Sequence, residues 1–277
     1  MNQKRIFITG GASGLGRALA ERYAREGWRV CIADIHDARG QEALAALRGQ
    51  GHYLHCDVRK EEDLQAVADW LQQNWGGVDI VVNNAGVAIG GAITDVPLSD
   101  WQWIIDINLL GVVRGCKVFT PLFRRQGGGR FVNISSMAGL VHAPMMAAYN
   151  ATKAGVVAVS ETLRVELERD RIAVSVVCPA FFRTHLTETL RASNPEVARI
   201  THKLVNKARH GADEIAELVY RGVQRGDFHI LTHTEGKAAW ILKRLAPFSL
   251  YARALSQSTR RMMGRTPPDQ ASSTSHE

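Results

Sequence analysis

Tyr149 and Lys153 stand four residues apart in the stretch Ala148-Tyr149-Asn150-Ala151-Thr152-Lys153-Ala154-Gly155. On a helix, positions i and i+4 share one face, so the lysine ammonium would lie near the phenol and favour its ionised form. A tyrosine so placed serves as an acid or base near neutral pH. The same spacing also fits an aromatic ring packed beside a solvated charge, and the rest of the chain has to separate the two readings.

Upstream, Thr9-Gly10-Gly11-Ala12-Ser13-Gly14-Leu15-Gly16 follows a short β-rich run and opens a helical one. That is the context in which a glycine-rich turn binds a dinucleotide. Glycines let the backbone approach a pyrophosphate, which N–H groups at the positive end of the helix then hold. Asp34 closes the next apolar run, 18 residues after Gly16. A carboxylate there accepts both ribose hydroxyls and repels a 2′-phosphate; otherwise it simply starts a turn. Arg17, His36 and Arg39 are the nearby cations, and none clearly cancels Asp34, so NAD is expected in preference to NADP.

These residues have to be positioned by a larger frame. At 277 residues and 45% apolar content, the chain can bury one sizeable core. Strand-length apolar runs (Lys4 to Thr9, Trp28 to Ala33, His52 to His55, Val78 to Val82, Gly129 to Ile134, Ile172 to Val177, Phe228 to Leu231) alternate with helical stretches. The helical ones include Gly14 to Glu26, Arg39 to Arg48, Glu61 to Trp75, Ser99 to Arg124 with Ser99 as N-cap, Tyr149 to Glu168, and Ala212 to Arg225. Alternation of this kind predicts an α/β fold: a Rossmann-type, doubly wound parallel sheet of about seven strands with helices on both faces. Arg183 to Arg209 reads as a charged helical insertion lying over the ligand crevice.

Three segments follow: residues 1–235 as the dinucleotide-binding catalytic domain, 236–265 as a basic amphipathic extension, and 266–277 as a disordered tail. The formal charge of +7 resides in the extension, where seven basic residues stand with no acidic one among bulky apolar side chains. Cys31, Cys56, Cys116 and Cys178 are far apart in apolar surroundings and read as buried thiols. The histidines show no ligand spacing, and no metal is expected. There is neither a secretion-type leader nor an unbroken apolar run long enough to span a bilayer, so a cytoplasmic protein is expected, peripherally membrane-associated if the extension binds lipid.

Taken in order, Thr9-Gly10-x-x-x-Gly14-x-Gly16, Asn83-Asn84-Ala85-Gly86, Asn108, Ser136, Tyr149 and Lys153 resemble the short-chain dehydrogenase/reductase family. The resemblance runs from about Lys4 to Leu231. It implies that Tyr149 exchanges a proton with a substrate hydroxyl or carbonyl, that Lys153 lowers the tyrosine's pKa and holds the nicotinamide ribose, and that Ser136, rather than Ser135, bonds the same substrate oxygen. Asn108 would hold a helix kink and a proton-relaying water. Gly10, Ser13, Gly14, Leu15, Gly16 and Asp34 would bind the adenosine end, Asp57 and Val58 the adenine, Asn84 the ribose side of the sheet, and Thr184 the carboxamide; helix capping is an alternative for Asp57. Where the family usually has Pro-Gly, this chain has Pro179-Ala180, which would be strained if that position needs positive φ.

The substrate is less legible. Val87, Ile89, Met137, Leu140, Val141, Met145, Met146, Phe181, Phe182 and Leu186 would line an apolar pocket suited to a lipophilic secondary alcohol or ketone, sterol-like or long-chain, or would simply pack loop against core. The extension is either an interfacial anchor, split by Pro247 into two short helices, or a segment packed on the domain or on a partner subunit. The resemblance implies a homodimer or homotetramer through the helices around Leu109, Val112, Val157 and Leu163. The alternative to an oxidoreductase is a dinucleotide-binding sensor or scaffold with vestigial catalysis, against which the intact Asn108, Ser136, Tyr149 and Lys153 argue. No nucleic-acid partner is expected.

Overall fold

Runs of aliphatic residues that can be buried on both faces become the strands of one parallel sheet. The computed structural model describes residues 3–263. Its strands are β1 (Arg5–Thr9), β2 (Arg29–Asp34), β3 (Gly51–His55), β4 (Ile80–Asn83), the short β5 (Ile89–Gly90), β6 (Gly129–Ile134), β7 (Ile172–Val177), the short β8 (Arg191–Ala192) and β9 (His229–Ile230). Seven of them form the main sheet in the order β3-β2-β1-β4-β6-β7-β9, and β5 pairs separately with β8. Every pairing is parallel. The fold is therefore the expected doubly wound α/β sheet. The chain order reverses between β1 and β4, so the loops after these two strands part and leave a crevice at their carboxyl ends.

The helices are α1 (Gly14–Arg25), α2 (Asp37–Ala46), α3 (Glu61–Trp75), α4 (Leu98–Ile105), α5 (Gly111–Gln126), α6 (Ala138–Val141), α7 (Ala147–Glu166), α8 (Pro195–Asn206), α9 (Ala212–Arg225), α10 (Thr234–Leu245) and α11 (Phe248–Met263). Side-chain alternation along β1 shows how they cover the sheet. Phe7 points into the layer holding Phe119, Phe131, Val112 and Val157, where it stacks on Phe119 at 5.2 Å between ring centroids. Ile6 and Ile8 point the other way, towards Leu19, Tyr23, Ile215 and Val219. All four cysteines are buried and unbridged, and burial pushes the Cys56, Cys116 and Cys178 thiols up to about 12.

Several sequence expectations are corrected. Val112 and Val157 are buried in the chain's own core. The long helix expected from Ser99 starts at Leu98 with Pro97 at the cap, because proline at that position needs no N–H partner and fixes the entry angle. It is interrupted by a π turn at Asp106–Leu110. The insertion at 183–209 is only partly helical: a 3₁₀ turn (His185–Thr189) and β8 precede α8. Pro195 cannot continue a helix from upstream, and Asn194 caps the new one by accepting the Val197 N–H at 3.0 Å.

The extension breaks at Ala246-Pro247 into α10 and α11, as expected from the proline. It does not stand free of the domain. Lys243 Nζ donates to Leu140 O at 2.6 Å, the Tyr251 hydroxyl donates to Val141 O, and Gly236 lies against Met137. No helix among the described residues is long and apolar enough to cross a membrane. The tail expected at 266–277 lies outside the described residues.

Candidate active site

The crevice begins at the glycine turn. Gly10 has φ +64°, and a Cβ there would meet Ala85 Cα at 2.9 Å; a Cβ on Gly16 would come within 2.1 Å of Gly10 O. Only glycine permits this close crossing of the β1 turn, the start of α1 and the loop after β4. That loop is tied down by Asn84, whose Nδ2 donates to Thr9 O at 2.9 Å and Gly10 O at 3.1 Å, while Thr9 Oγ1 accepts the Asn84 and Ala85 N–H groups. Asn84 thus organises the turn through its side chain. Gly14, with φ +54°, faces Thr184 Oγ1 across the cleft. Ser13 occupies the N-cap of α1 without a side-chain capping bond, so the first N–H groups of the helix and this hydroxyl point to an anion site.

Asp34 is anchored by both oxygens, one accepting the Ala12 N–H and the other the His36 N–H, each at 3.1 Å. Each oxygen keeps a lone pair for a ribose hydroxyl. Arg39, a cation of the cleft lining that could meet a 2′-phosphate, is paired with Glu188 at 2.8 Å. Asp57 accepts a fork of bonds from Arg59 at 2.6–3.0 Å, and that guanidinium holds its carboxyl below the usual range. It also accepts the Arg59 N–H and does not cap α3, whose N-cap is Lys60. Val58 is buried beside it. The close-packed glycines, the uncommitted Ser13 hydroxyl and the anchored Asp34 fit a dinucleotide.

At the other end lie the residues expected to do chemistry. Tyr149 and Lys153 are buried on α7, Ser136 sits just beyond β6, and Asn108 lies within the π turn. Ser136 Oγ accepts the Ala138 N–H at 3.1 Å and donates to Pro179 O at 3.4 Å, and its side chain works against the upward push that burial gives the Tyr149 phenol. Ser135 instead donates to Lys153 O at 2.7 Å, a structural bond that leaves Ser136 as the cleft-facing hydroxyl. Asn108 is fully buried; its side chain closes on Val87, accepting the N–H at 2.8 Å and donating to the carbonyl at 2.9 Å. A Cβ at Gly86 would stand 3.2 Å from Asn108 Oδ1 and 3.4 Å from Lys153 Nζ, so the missing side chain lets these two groups share one space.

Burial dominates the electrostatics of the pair. Lys153 Nζ lies 5.8 Å from the Tyr149 ring centre and donates to Ile134 O at 3.0 Å. Burial pulls its pKa down to about 8 and pushes that of Tyr149 up, with Ser136 acting in the opposite direction. Low-dielectric surroundings disfavour the charged form of both groups.

A cleft of about 590 Å³ joins the two ends. Of the expected apolar lining, Val87, Met137, Val141, Met146, Phe181, Phe182 and Leu186 border it, whereas Ile89, Leu140 and Met145 do not. Trp103, Ile107, Thr201 and Val205 border it without having been anticipated. Trp103 and Ile107 are four apart, which placed them on one helical face but could not say that the face fronts a cleft. Ala180 is absent from the residues with positive φ, so the strain considered at Pro179-Ala180 does not arise; its N–H donates to His233 Nδ1 at 3.2 Å.

Comparison with known proteins agrees with this geometry. The short chain dehydrogenase family model matches residues 4–195. The chain is 31% identical over 253 residues to the CLA biosynthesis dehydrogenase/reductase of Lactiplantibacillus plantarum, covering 84% of this chain and 88% of that protein. It is 37% identical over 190 residues to the D-threitol dehydrogenase of Mycolicibacterium smegmatis, covering 67% and 73%. It spans 44% of a longer oxidoreductase of Mycobacterium tuberculosis, EphD. A short chain dehydrogenase/reductase from Burkholderia phymatum, solved in complex with NAD, superposes with TM-score 0.84 at 29% identity over 97% of this chain and 98% of that one. A family match across more than half of the chain, on the fold and crevice just described, makes this protein a member of the short chain dehydrogenase family of oxidoreductases.

Proposed function

We propose that residues 1–235 form an NAD-dependent dehydrogenase that interconverts a lipophilic secondary alcohol and its ketone. The observation that carries the reading is that Ser136, Tyr149 and Lys153 line the same cleft as the anchored Asp34. Gly10, Ser13, Gly14, Leu15 and Gly16 would cradle the pyrophosphate. Asp34 would take the ribose hydroxyls, Asp57 and Val58 the adenine, Asn84 would hold the turn in shape, and Thr184 would take the carboxamide. When bound, the nicotinamide supplies or accepts the hydride.

The chain's own residues manage the proton. Ser136 orients the substrate oxygen, and Tyr149 donates to it during reduction or receives its proton during oxidation. Lys153, buried behind the tyrosine, is the cation beside which a phenolate can form. Asn108 fixes Val87 and, with Lys153, bounds the space beside Gly86 through which a proton can leave. NAD in preference to NADP follows from like-charge repulsion at Asp34 and from the engagement of Arg39 by Glu188.

The lipophilic substrate class rests on Met137, Val141, Met146, Phe181 and Trp103 around the reacting end. The polyol named for the threitol relative is the competing class. For assembly, a homodimer or homotetramer through α5 and α7 is part of this reading; exposed Leu110 and Val165, rather than the buried valines, are the apolar positions available there.

The test is reduced-nicotinamide formation from NAD with a panel of sterol, long-chain and short secondary alcohols and polyols, run beside Tyr149→Phe. Loss of the acid/base is expected to slow turnover on the order of 100-fold or more. Equal turnover by the variant would overturn the assignment of Tyr149, and activity confined to polyols would overturn the lipophilic class.

A further inference from the structure

We propose that the exposed apex of the α10–α11 hairpin is a docking surface for an anionic lipid membrane, set beside the mouth of the cleft. One face of the hairpin is committed to the domain: Lys243 and Tyr251 hold the carbonyls of Leu140 and Val141, and Trp240 packs towards the core. The other face carries exposed apolar side chains that none of the described residues covers. Ile241, Leu242 and Leu245 are exposed on α10 and Phe248 and Leu250 on α11, and the two residues flanking the bend are the most open, Leu245 at 80% and Phe248 at 76%. Exposed Lys237, Arg244 and Arg253 lie on the same two helices.

Charge decides which partner this surface suits. Between Gly236 and Arg265 the chain has no acidic residue. An isologous contact with a second copy of the same face would bring cations against cations. A bilayer with negative headgroups accepts the cations while its acyl boundary takes Leu245 and Phe248. Neither helix is a candidate membrane span, so the hairpin lies in the interface plane instead of crossing it.

Position gives the surface a use. The segment that the hairpin grips carries Met137, Ala138 and Val141, which border the cleft, so a docked protein would take a lipophilic alcohol or ketone from the bilayer rather than from water. That use rests on the substrate reading above; the docking does not.

The test is flotation of the full chain with vesicles of phosphatidylcholine alone and of phosphatidylcholine mixed with phosphatidylglycerol. Wild type is compared with Leu245→Asp/Phe248→Asp and with Lys237→Gln/Arg244→Gln/Arg253→Gln. Partition onto the anionic vesicles is expected to fall about tenfold or more in the aspartate variant and on the order of 100-fold at low salt in the glutamine variant. Both variants should keep wild-type circular dichroism and turnover of a water-soluble alcohol, since every substituted side chain is exposed and remote from the chemistry. Three results would overturn the proposal: wild type failing to float, wild type binding neutral and anionic vesicles alike, or the aspartate variant binding as well as wild type. If the aspartate variant instead lowers the oligomeric mass in light scattering while wild type ignores vesicles, the face belongs to a second copy. Vesicle binding is read without turnover, so an inactive alcohol panel would count against the substrate reading and leave this result standing.

Discussion

Replacing Lys153 by methionine tests the electrostatic account of the site through folding rather than catalysis. The side chain is buried, with 4% exposure, and its pKa is pulled down to about 8 by loss of solvation, against an ordinary value of 10.5. The unfolded chain thus holds this proton more tightly than the folded one, and stability rises with pH through the window between the two values. Integrating the difference from about pH 7 to about pH 9.5 gives wild type a gain of about 2 kcal/mol that Lys153→Met lacks. The methionine also leaves Ile134 O without its donor, at a cost of about 1–3 kcal/mol; that cost is independent of pH and cancels in the comparison. The assay is urea unfolding of both apoproteins at the two pH values, read as the change in their stability difference. Parallel behaviour across the window would refute the reasoning, because it would mean that the buried ammonium keeps an ordinary pKa.

The crossing at the glycine turn predicts that Gly16→Ala, which drives a methyl to within 2.1 Å of the Gly10 carbonyl oxygen, weakens NADH binding at least about tenfold and costs about 1–3 kcal/mol in urea unfolding; unchanged affinity in a fluorescence titration would count against it. Asp34→Asn removes the repulsion of a 2′-phosphate and one of the two backbone acceptors, so the NADPH-to-NADH affinity ratio should rise about tenfold or more, and a constant ratio would deny Asp34 that role. Ala180→Gly should destabilise by about 0.4–1 kcal/mol because it only loosens the unfolded chain; a gain in stability would place residue 180 in the left-handed region after all.

Legibility in the sequence followed the range of the interactions involved. The strand–helix alternation, the turn from Gly10 to Gly16 and the i, i+4 pair Tyr149 and Lys153 are local patterns, and the sheet order and the clustering of Ser136, Tyr149 and Lys153 agree with them. Contacts made by distant segments left no such pattern. Nothing near Ala180 in sequence announces that its N–H donates to His233, 53 positions away, nor does the helical stripe of Trp103 and Ile107 reveal that it borders the cleft. Val112 and Val157 show the same limit from the other side: periodicity put them on an apolar face, but the choice between core and partner depends on what packs opposite.

Ionisation lies furthest from the sequence, because it depends on solvent as well as on neighbours. Spacing alone says that a cation near a phenol favours phenolate; the structure adds that both groups are buried and that burial works against the charged form of each. Each charge is therefore costly by itself, and the charge that can best compensate the ammonium is the phenolate that Tyr149 becomes when it gives up its proton. On this argument the lysine is tuned for the ionised tyrosine rather than for the resting one. Its burial destabilises the resting protein, and part of that cost is recovered only as the proton moves. A site built this way should trade stability for rate, so Lys153→Met is expected to gain relative stability at neutral pH while losing turnover.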